Sequence, residues 1–198
     1  MIEVIWATPL YEFLRRCNAS ALAKVVLDCG AGGSNPPLSL FYQYGYQTYG
    51  IEIDERALRE AQRFGAEHDM DLNIIGGDMR SIPFPNERFS FVYSYNAIDL
   101  MTKPDIAVSM REITRVLKPG GLCYVNFLSV DDAESWEPFC EPAQDQLRSK
   151  EFSHFEDDEA DVYFEAYEIV RKEKRLVEKL WEERRLKQAD IEYIARKR

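Results

Sequence analysis

Three acids stand out for where they fall: Asp28, Glu52 and Asp78 each sit where a short apolar run gives way to a turn. Asp28 follows Val25-Val26-Leu27, a run suited to a strand buried on both faces of a parallel sheet, and the chain then reads C-G-A-G-G-S-N-P-P. Gly30, Gly32 and Gly33 permit positive φ and let a ligand approach the backbone, while Pro36 and Pro37 suit the first turn of a helix. Lys24 to Pro37 therefore predicts strand, tight turn and helix N-terminus, the place where open α/β sheets bind nucleotides. Glu52 lies 22 residues past Gly30, the distance at which a second strand offers an acid to a ribose, and its two oxygens match two vicinal hydroxyls. Asp78 could accept from the exocyclic amine of adenine while the Met79 amide donates to a ring nitrogen. An aspartate capping the turn Met79 to Ile82 explains the same residue equally well in isolation.

The acid before the turn narrows the ligand. A dinucleotide site puts a pyrophosphate on the helix N-terminus, yet here the third glycine position of a G-x-G-x-x-G pattern holds Asn35, and Asp28 would set a carboxylate beside the phosphates. A ligand with an adenosine but no phosphate, carrying an ammonium and a sulfonium instead, is attracted by the same charge. S-adenosylmethionine fits that description.

Composition bounds the partners. The chain has 198 residues, 45% of them hydrophobic and 13% aromatic, enough for one sizeable core, and it reads as a single domain. Its net charge of -10 argues against nucleic acid as a partner, because phosphate neutralisation needs clustered Lys and Arg. The charge is uneven: residues 171–198 hold 11 basic and 6 acidic residues, leaving 14 basic and 29 acidic before them. We read the basic tail as a surface balancing an acidic body rather than as an RNA-binding segment. Cys17, Cys29, Cys123 and Cys140 show neither a C-x-x-C pair nor a His at metal spacing, which predicts reduced thiols, no metal and a cytoplasmic location. No apolar run approaches the ~20 residues of a membrane span, and no signal pattern opens the chain.

The elements that must hold these acids follow from periodicity. Residues 1–23 carry Leu10, Phe13 and Leu14 at helical spacing, with Trp6 and Tyr11 nearby, and predict a cap helix in which Phe13 and Leu14 pack on the sheet and Tyr11 is a candidate to touch ligand. A second helix spans Leu38 to Tyr44 and stops at Gly45; a second strand spans Tyr46 to Ile53; Asp54 caps a helix to about Glu67 with Ala57, Ala61 and Phe64 on one face. His68 is explained by its place at that helix end. Leu72 to Ile75 predicts a third strand and Phe89 to Tyr95 a fourth, with Ser94, Tyr95 and Asn96 facing the crevice. Thr102-Lys103-Pro104 starts a helix with the stripe Ile106, Met110, Ile113 and Leu117, stopped by Pro119-Gly120-Gly121, and Leu122 to Leu128 is the next strand. Asp131 to Asp161 holds 12 acids and reads as an exposed insertion, with a helix over Glu156 to Phe164. Arg171 to Trp181 could continue that helix, with Tyr163, Tyr167, Val170, Val177 and Trp181 on one face, but a strand also suits the pattern. We take strands at Tyr167 to Val170 and Arg175 to Val177, a turn near Glu182 to Arg185, and a last strand Ile191 to Ala195, because a lone helix leaves Ile191 to Ile194 without a partner.

L-D-C-G-A-G at 27–32, G-I-E-I-D at 50–54, G-D-M-R-S-I-P-F-P-N-E-R-F-S-F-V-Y-S at 77–94 and R-E-I-T-R-V-L-K-P-G-G at 111–121 resemble the ordered motifs of class I S-adenosylmethionine-dependent methyltransferases of the small-molecule type. The resemblance covers about residues 20 to 130. It implies a Rossmann-like α/β fold: a doubly wound, seven-stranded, mostly parallel sheet with an antiparallel last strand and helices on both faces. It further implies that Asp28 and the turn Gly30, Ala31, Gly32 hold the methionyl part, Glu52 the ribose, and Asp78 with Met79 the adenine; Ile53 and Tyr95 are further cofactor-binding candidates. Where the family often has a third glycine this chain has Ser34, which implies a tighter turn or an earlier helix start.

By organisation, residues 24–128 are the cofactor core, 129–165 the acidic insertion and 166–198 a C-terminal hairpin. The sulfonium is already an activated donor, so positioning the acceptor supplies much of the barrier reduction. Tyr11, Asn96 and Asp99 are candidate acceptor contacts; His154 or Asp99 could take a proton, though both read better as surface or helix-end residues, and no catalytic residue is assigned. The sequence thus predicts an enzyme methylating a small molecule, with no nucleic-acid or membrane partner. The alternative is a non-catalytic protein that keeps the cofactor fold for interaction or sensing, while a nicotinamide dehydrogenase is disfavoured by Asp28 and Asn35.

Overall fold

The computed structural model describes residues 8–132, 153–181 and 184–198, with side chains described outside 8 and 179–186. Five strands alternate with helices: α1 (Thr8–Asn18), β1 (Val25–Cys29), α2 (Leu38–Gln43), β2 (Gln47–Glu52), α3 (Glu55–Glu67), β3 (Ile74–Gly76), β4 (Phe89–Ser94), α4 (Lys103–Val116) and β5 (Leu117–Ser129). The two-residue β6 (His154–Phe155) then precedes the long pair β7 (Tyr167–Trp181) and β8 (Arg184–Lys197). Short 3-10 turns at Ile98–Leu100 and Glu159–Phe164 complete the order.

The sheet runs β3-β2-β1-β4-β5-β8-β7, and β6 joins it beside β5. Strands β1 to β5 are mutually parallel and β8 is antiparallel to β5, as the resemblance implies. Beyond the last β4–β5 pair, Ser94 with Val125, β6 takes over the same edge of β5 with His154 opposite Leu128. The strands alternate between two apolar layers, as parallel strands covered on both faces must. Val26, Phe91, Tyr93 and Tyr124 pack under α1, α2 and α3, through Leu10, Phe13, Leu14, Phe41, Ala61 and Phe64. Leu27, Val92, Val125 and Phe127 pack under α4, through Ile106, Met110, Ile113 and Val116.

Helix starts follow local chemistry. The Asp54 carboxylate accepts from the Ala57 amide at 2.8 Å and caps α3; Thr102 caps α4, with Pro104 in its first turn. Gly45, at φ 75°, ends the α2 segment as expected.

Several boundaries differ from the sequence reading. β3 begins only at Ile74, because Asn73 takes φ 53° and breaks the extended run. α2 starts later, not earlier, than Ser34 implied: Ser34 and Asn35 are exposed, and the first turn closes from Ser39 to the Pro36 carbonyl at 3.1 Å. α4 stops before Leu117, since Lys118 precedes Pro119 and is biased out of the helical region; Leu117 already pairs with Phe89. The helix expected over Glu156 to Phe164 is a 3-10 turn from Glu159, tied down by Lys172 at 2.7 Å from both Asp158 and Asp161. At the C-terminus the strand choice holds, but the strands are far longer, and Arg184 and Arg185 already pair with Trp181 and Leu180. Positions 182 and 183 of the expected turn, Trp6, Cys140 and most of the acidic insertion lie outside the described residues.

The basic tail is largely spent inside the protein. Lys172 and Lys174 bind acids of the 131–161 stretch, Arg196 binds Glu168, and Lys197 donates to the carbonyls of Thr114 and Leu117. Cys17, Cys29 and Cys123 are free thiols, all buried. No described helix is long and apolar enough to cross a membrane.

Candidate functional site

The candidate site lies outside the carboxyl ends of the parallel strands, where the strand order reverses between β1 and β4 and the covering helices change face, α2 on one and α4 on the other. Both Gly30 and Ala31 donate to the Ile51 carbonyl at 3.0 Å, so the turn after β1 folds onto the end of β2. Gly30 has φ 108°, and a Cβ there would sit 2.4 Å from the Ala97 Cβ. A Cβ on Gly32 would meet the Glu52 Oε2 at 2.5 Å and the Ala57 Cβ at 2.7 Å. Only glycine allows the turn, the strand-end acid and the first turn of α3 to approach this closely.

Glu52 is held ready rather than merely exposed. The Asp54 amide donates to its Oε1 at 2.8 Å. Burial raises its pKa, while the amides of Asp54, Gly32 and Ile53 oppose that rise by solvating the charge. Ile53 beside it is 62% exposed, open to the crevice. Asp28 differs from the expectation of a carboxylate at an open strand end. It is fully buried beneath the turn, opposite Gly50 and Tyr93 in the sheet, and its Oδ2 has no hydrogen-bond partner. Burial pushes its pKa well up, the nearby Tyr93 hydroxyl opposes the rise, and the Glu52 charge adds to it.

Asp78 serves its own turn first. Oδ1 accepts from the Arg80 amide at 2.8 Å, Oδ2 from the Arg80 guanidinium at 2.6 Å, and its carbonyl accepts from Ser81 at 3.0 Å. The Arg80 guanidinium holds its pKa below the usual carboxylate range. The turn-capping reading is therefore satisfied, and the half-buried carboxylate and Met79 remain at the crevice edge. A clamp that the sequence reading did not single out fixes this loop. Arg115 of α4 donates to the Ile82 and Phe84 carbonyls and to Asn86 at 2.8 to 2.9 Å, and Glu112 accepts from the Ile82 amide at 2.9 Å. The E-x-x-R spacing, one helical turn, was the available signal.

On the other side of the crevice, Asn96 at φ 51° turns the chain out of β4. Asn126 accepts from the Asn96 amide and donates to its side chain, both at 2.8 Å. Tyr95 is half-buried with its ring 6.2 Å from that of Tyr124. Asp99 corrects the surface reading: it sits in the 3-10 turn Ile98–Leu100, only 6% exposed, and its Oδ1 is unpartnered. Burial raises its pKa to about 7, with Asp190 and Asp132 adding to the rise. Tyr11 is 39% exposed on α1. His154 belongs to β6, and His68 donates or accepts at the Phe64 carbonyl as the end residue of α3. Two surface hollows, of about 210 and 220 Å³, lie elsewhere, one between α3 and β3 and one between α1, β5 and β8. Among the described residues no group of three or more His, Cys, Asp or Glu is arranged to hold a metal ion.

The family model of the methyltransferase domain matches residues 27–125, half the chain, from within β1 to within β5. The chain belongs to the class I S-adenosylmethionine-dependent methyltransferase family. S-adenosylmethionine is the cofactor of this family. Among curated relatives, the chain is 35% identical over 101 residues to a sterol 24-C-methyltransferase of Aspergillus fumigatus, covering 49% of this chain and 26% of that protein. It is 35% identical over 102 residues to the 2-methyl-6-phytyl-1,4-hydroquinone methyltransferase of Synechocystis, covering 50% and 30%. A fatty-acid O-methyltransferase of Mycolicibacterium smegmatis matches over 143 residues at 27% identity, covering 70% and 50%. The chain thus spans a quarter to a half of the length of these relatives. An S-adenosylmethionine-dependent methyltransferase from Methanosarcina mazei superposes with TM-score 0.69 at 21% identity over 98% of this chain and 99% of that one. TehB from Haemophilus influenzae superposes with TM-score 0.75 at 16% identity, covering 98% and 63%. Both carry the fold alone.

Proposed function

We propose that this methyltransferase domain binds S-adenosylmethionine and transfers its methyl group to a small-molecule acceptor. The observation that carries the reading is the contact between the glycine turn and Glu52: a Cβ at Gly32 would fall 2.5 Å from Oε2, so turn and acid form one cradle across β1 and β2. In that cradle Glu52 accepts the two ribose hydroxyls and Ile53 lies against the adenosine. Asp78 and Met79 border the adenine. Gly30, Ala31 and Gly32 pass close to the methionyl part, and Tyr95 lies alongside. Asp28 acts from below the turn by charge: its unpartnered Oδ2 fits a cationic ligand such as an ammonium, whose approach favours the ionised form.

When bound, the cofactor supplies an activated methyl on a sulfonium. The work left to the chain is to seat the acceptor in line with it and to exclude water. The names of the relatives include a sterol, a hydroquinone and a fatty acid, which supports a small-molecule acceptor here. The internal pairing of the basic tail supports a surface role for it over nucleic-acid binding.

Calorimetry tests the reading. S-adenosylmethionine should bind saturably, and Glu52→Ala should weaken it by ~1 to 3 kcal/mol through loss of hydrogen bonds to a charged group. No saturable binding at millimolar ligand would sink the proposal, and an unchanged affinity in the variant would remove Glu52 from the ribose.

A further inference from the structure

We propose that the acceptor side of the crevice is a receptor for an organic cation, with the Asp99 carboxylate as its principal anion, so that the acceptor carries an aliphatic ammonium group. This rests on the methyltransferase reading for the word acceptor, but not for the cation.

Four carboxylates reach this end of the sheet from different elements. Asp99 stands just past β4, Asp132 just past β5, and Asp190 and Glu192 lie on β8 opposite Leu128 and Asn126. The Arg175 guanidinium is committed to Glu192 at 3.1 Å. The Asp132 Oδ2 accepts from the Ala189 amide at 3.1 Å, yet its Oδ1 has no partner, and neither does Asp99 Oδ1. Both residues are more than nine-tenths buried. A third unpartnered atom, the fully buried Tyr124 hydroxyl, faces Tyr95, Asp190 and Glu192. Unpaired buried polar atoms are costly, and the two orphan carboxylate oxygens, Asp99 Oδ1 and Asp132 Oδ1, call for a donor-rich guest.

The guest's chemistry follows from the donors needed. An ammonium offers three N–H groups and a positive charge to the Asp99 carboxylate, whose pKa is raised by burial and by its acidic neighbours Asp190 and Asp132. A metal ion needs ligands converging more closely than these acids do. An apolar acceptor would leave both carboxylates unsolvated. The site also adjoins the cofactor cradle: Ala97, two residues before Asp99, lies against Gly30. The Ser153 amide donates to the Asp99 carbonyl and the Ser153 hydroxyl to the Met101 carbonyl, at 3.2 and 2.6 Å, which fixes the 3-10 turn from outside.

Because Asp99 must be ionised to hold a cation, binding strengthens as pH rises through about 7. The groups facing it are Asp132 past β5 and Asp190 on β8; Glu192, Arg175 and His154 lie next to these along β8, β7 and β6.

The test is calorimetric titration of the full chain with β-phenylethylamine and with phenylethanol, matched in shape but not in charge, at pH 8. The amine should bind saturably and at least tenfold more tightly than the alcohol. Asp99→Asn, folded as shown by a cooperative melting transition no lower than that of wild type, should lose at least tenfold in amine affinity. If that variant does not fold, the wild type decides: its amine affinity should rise at least tenfold from pH 5.5 to pH 8. Equal binding of amine and alcohol, no amine binding, or a pH-independent affinity overturns the cation site. Glu52→Ala separates the two readings, because it should weaken S-adenosylmethionine binding while leaving that of the amine unchanged. Amine binding without any cofactor binding would overturn the methyltransferase reading and leave the cation site standing.

Discussion

Gly32 is the residue on which the proposed cofactor cradle turns. Replacing it with alanine puts a methyl group 2.5 Å from the Glu52 Oε2 and 2.7 Å from the Ala57 Cβ. Glu52 is the softer neighbour and must swing away, so Gly32→Ala should cost at least tenfold in S-adenosylmethionine affinity, about 1.4 kcal/mol, by calorimetry. An affinity within twofold of wild type would show that the turn has room to spare. Asp99 gives a prediction about pH. Its folded pKa of about 7 lies above the ordinary carboxylate value, so the unfolded chain releases the proton first as pH rises. The resulting penalty is absent below about pH 4, grows between 4 and 7, and is complete above 7, reaching at most about 4 kcal/mol. Asp99→Asn should therefore stabilise the protein more at pH 8 than at pH 5, measured as the difference in urea midpoint between the two proteins. A gain that is the same at both values contradicts the raised pKa. The strand-end acids at 28, 52 and 78 were legible because each follows a short apolar run. The burial of Asp28 and Asp99 was not, since one side chain's exposure depends on helices far away in sequence.

At the scale of elements, α4 positions more than the core stripe it shows. Its inner face is apolar, while Glu112 and Arg115 at its edge reach over to the loop that carries Asp78 and Met79. Arg115→Ala leaves the Phe84 carbonyl without its side-chain donor and the Ile82 carbonyl with the Phe84 amide alone. Stability should fall by ~2 kcal/mol in urea denaturation, and cofactor affinity should fall with it as the loop loosens. Loss of neither would mean that the loop is held by other contacts. Most helices and strands were readable because periodicity and caps agree, as at Asp54 and Thr102. Where tertiary pairing decides, they were not: Leu117 extends β5 because Phe89 lies opposite, and β7 runs the length of β8 although Glu173 and Lys174 carry no strand signal.

The whole molecule is closed by its C-terminal pair. Ile191, Tyr193 and Ala195 complete the α4-side core, Lys197 ties β8 to the end of α4, and β8 covers the edge of β5. A chain ended at residue 166 would bare that edge and the core residues that Tyr167, Ile191, Tyr193 and Ala195 cover. It should aggregate or lose dispersed amide resonances, and a monomeric, well-dispersed spectrum would show the core to be independent of the pair.

The family match stops at Val125, and Asn126, Asp132, Asp190 and Glu192 all lie beyond it. Inheritance can thus treat the two halves separately. A lineage that keeps the proposed cradle untouched can trade one clientele for another by rewriting the chain after that point, with Tyr95, Asn96 and Asp99 as the narrow hinge where both interests meet.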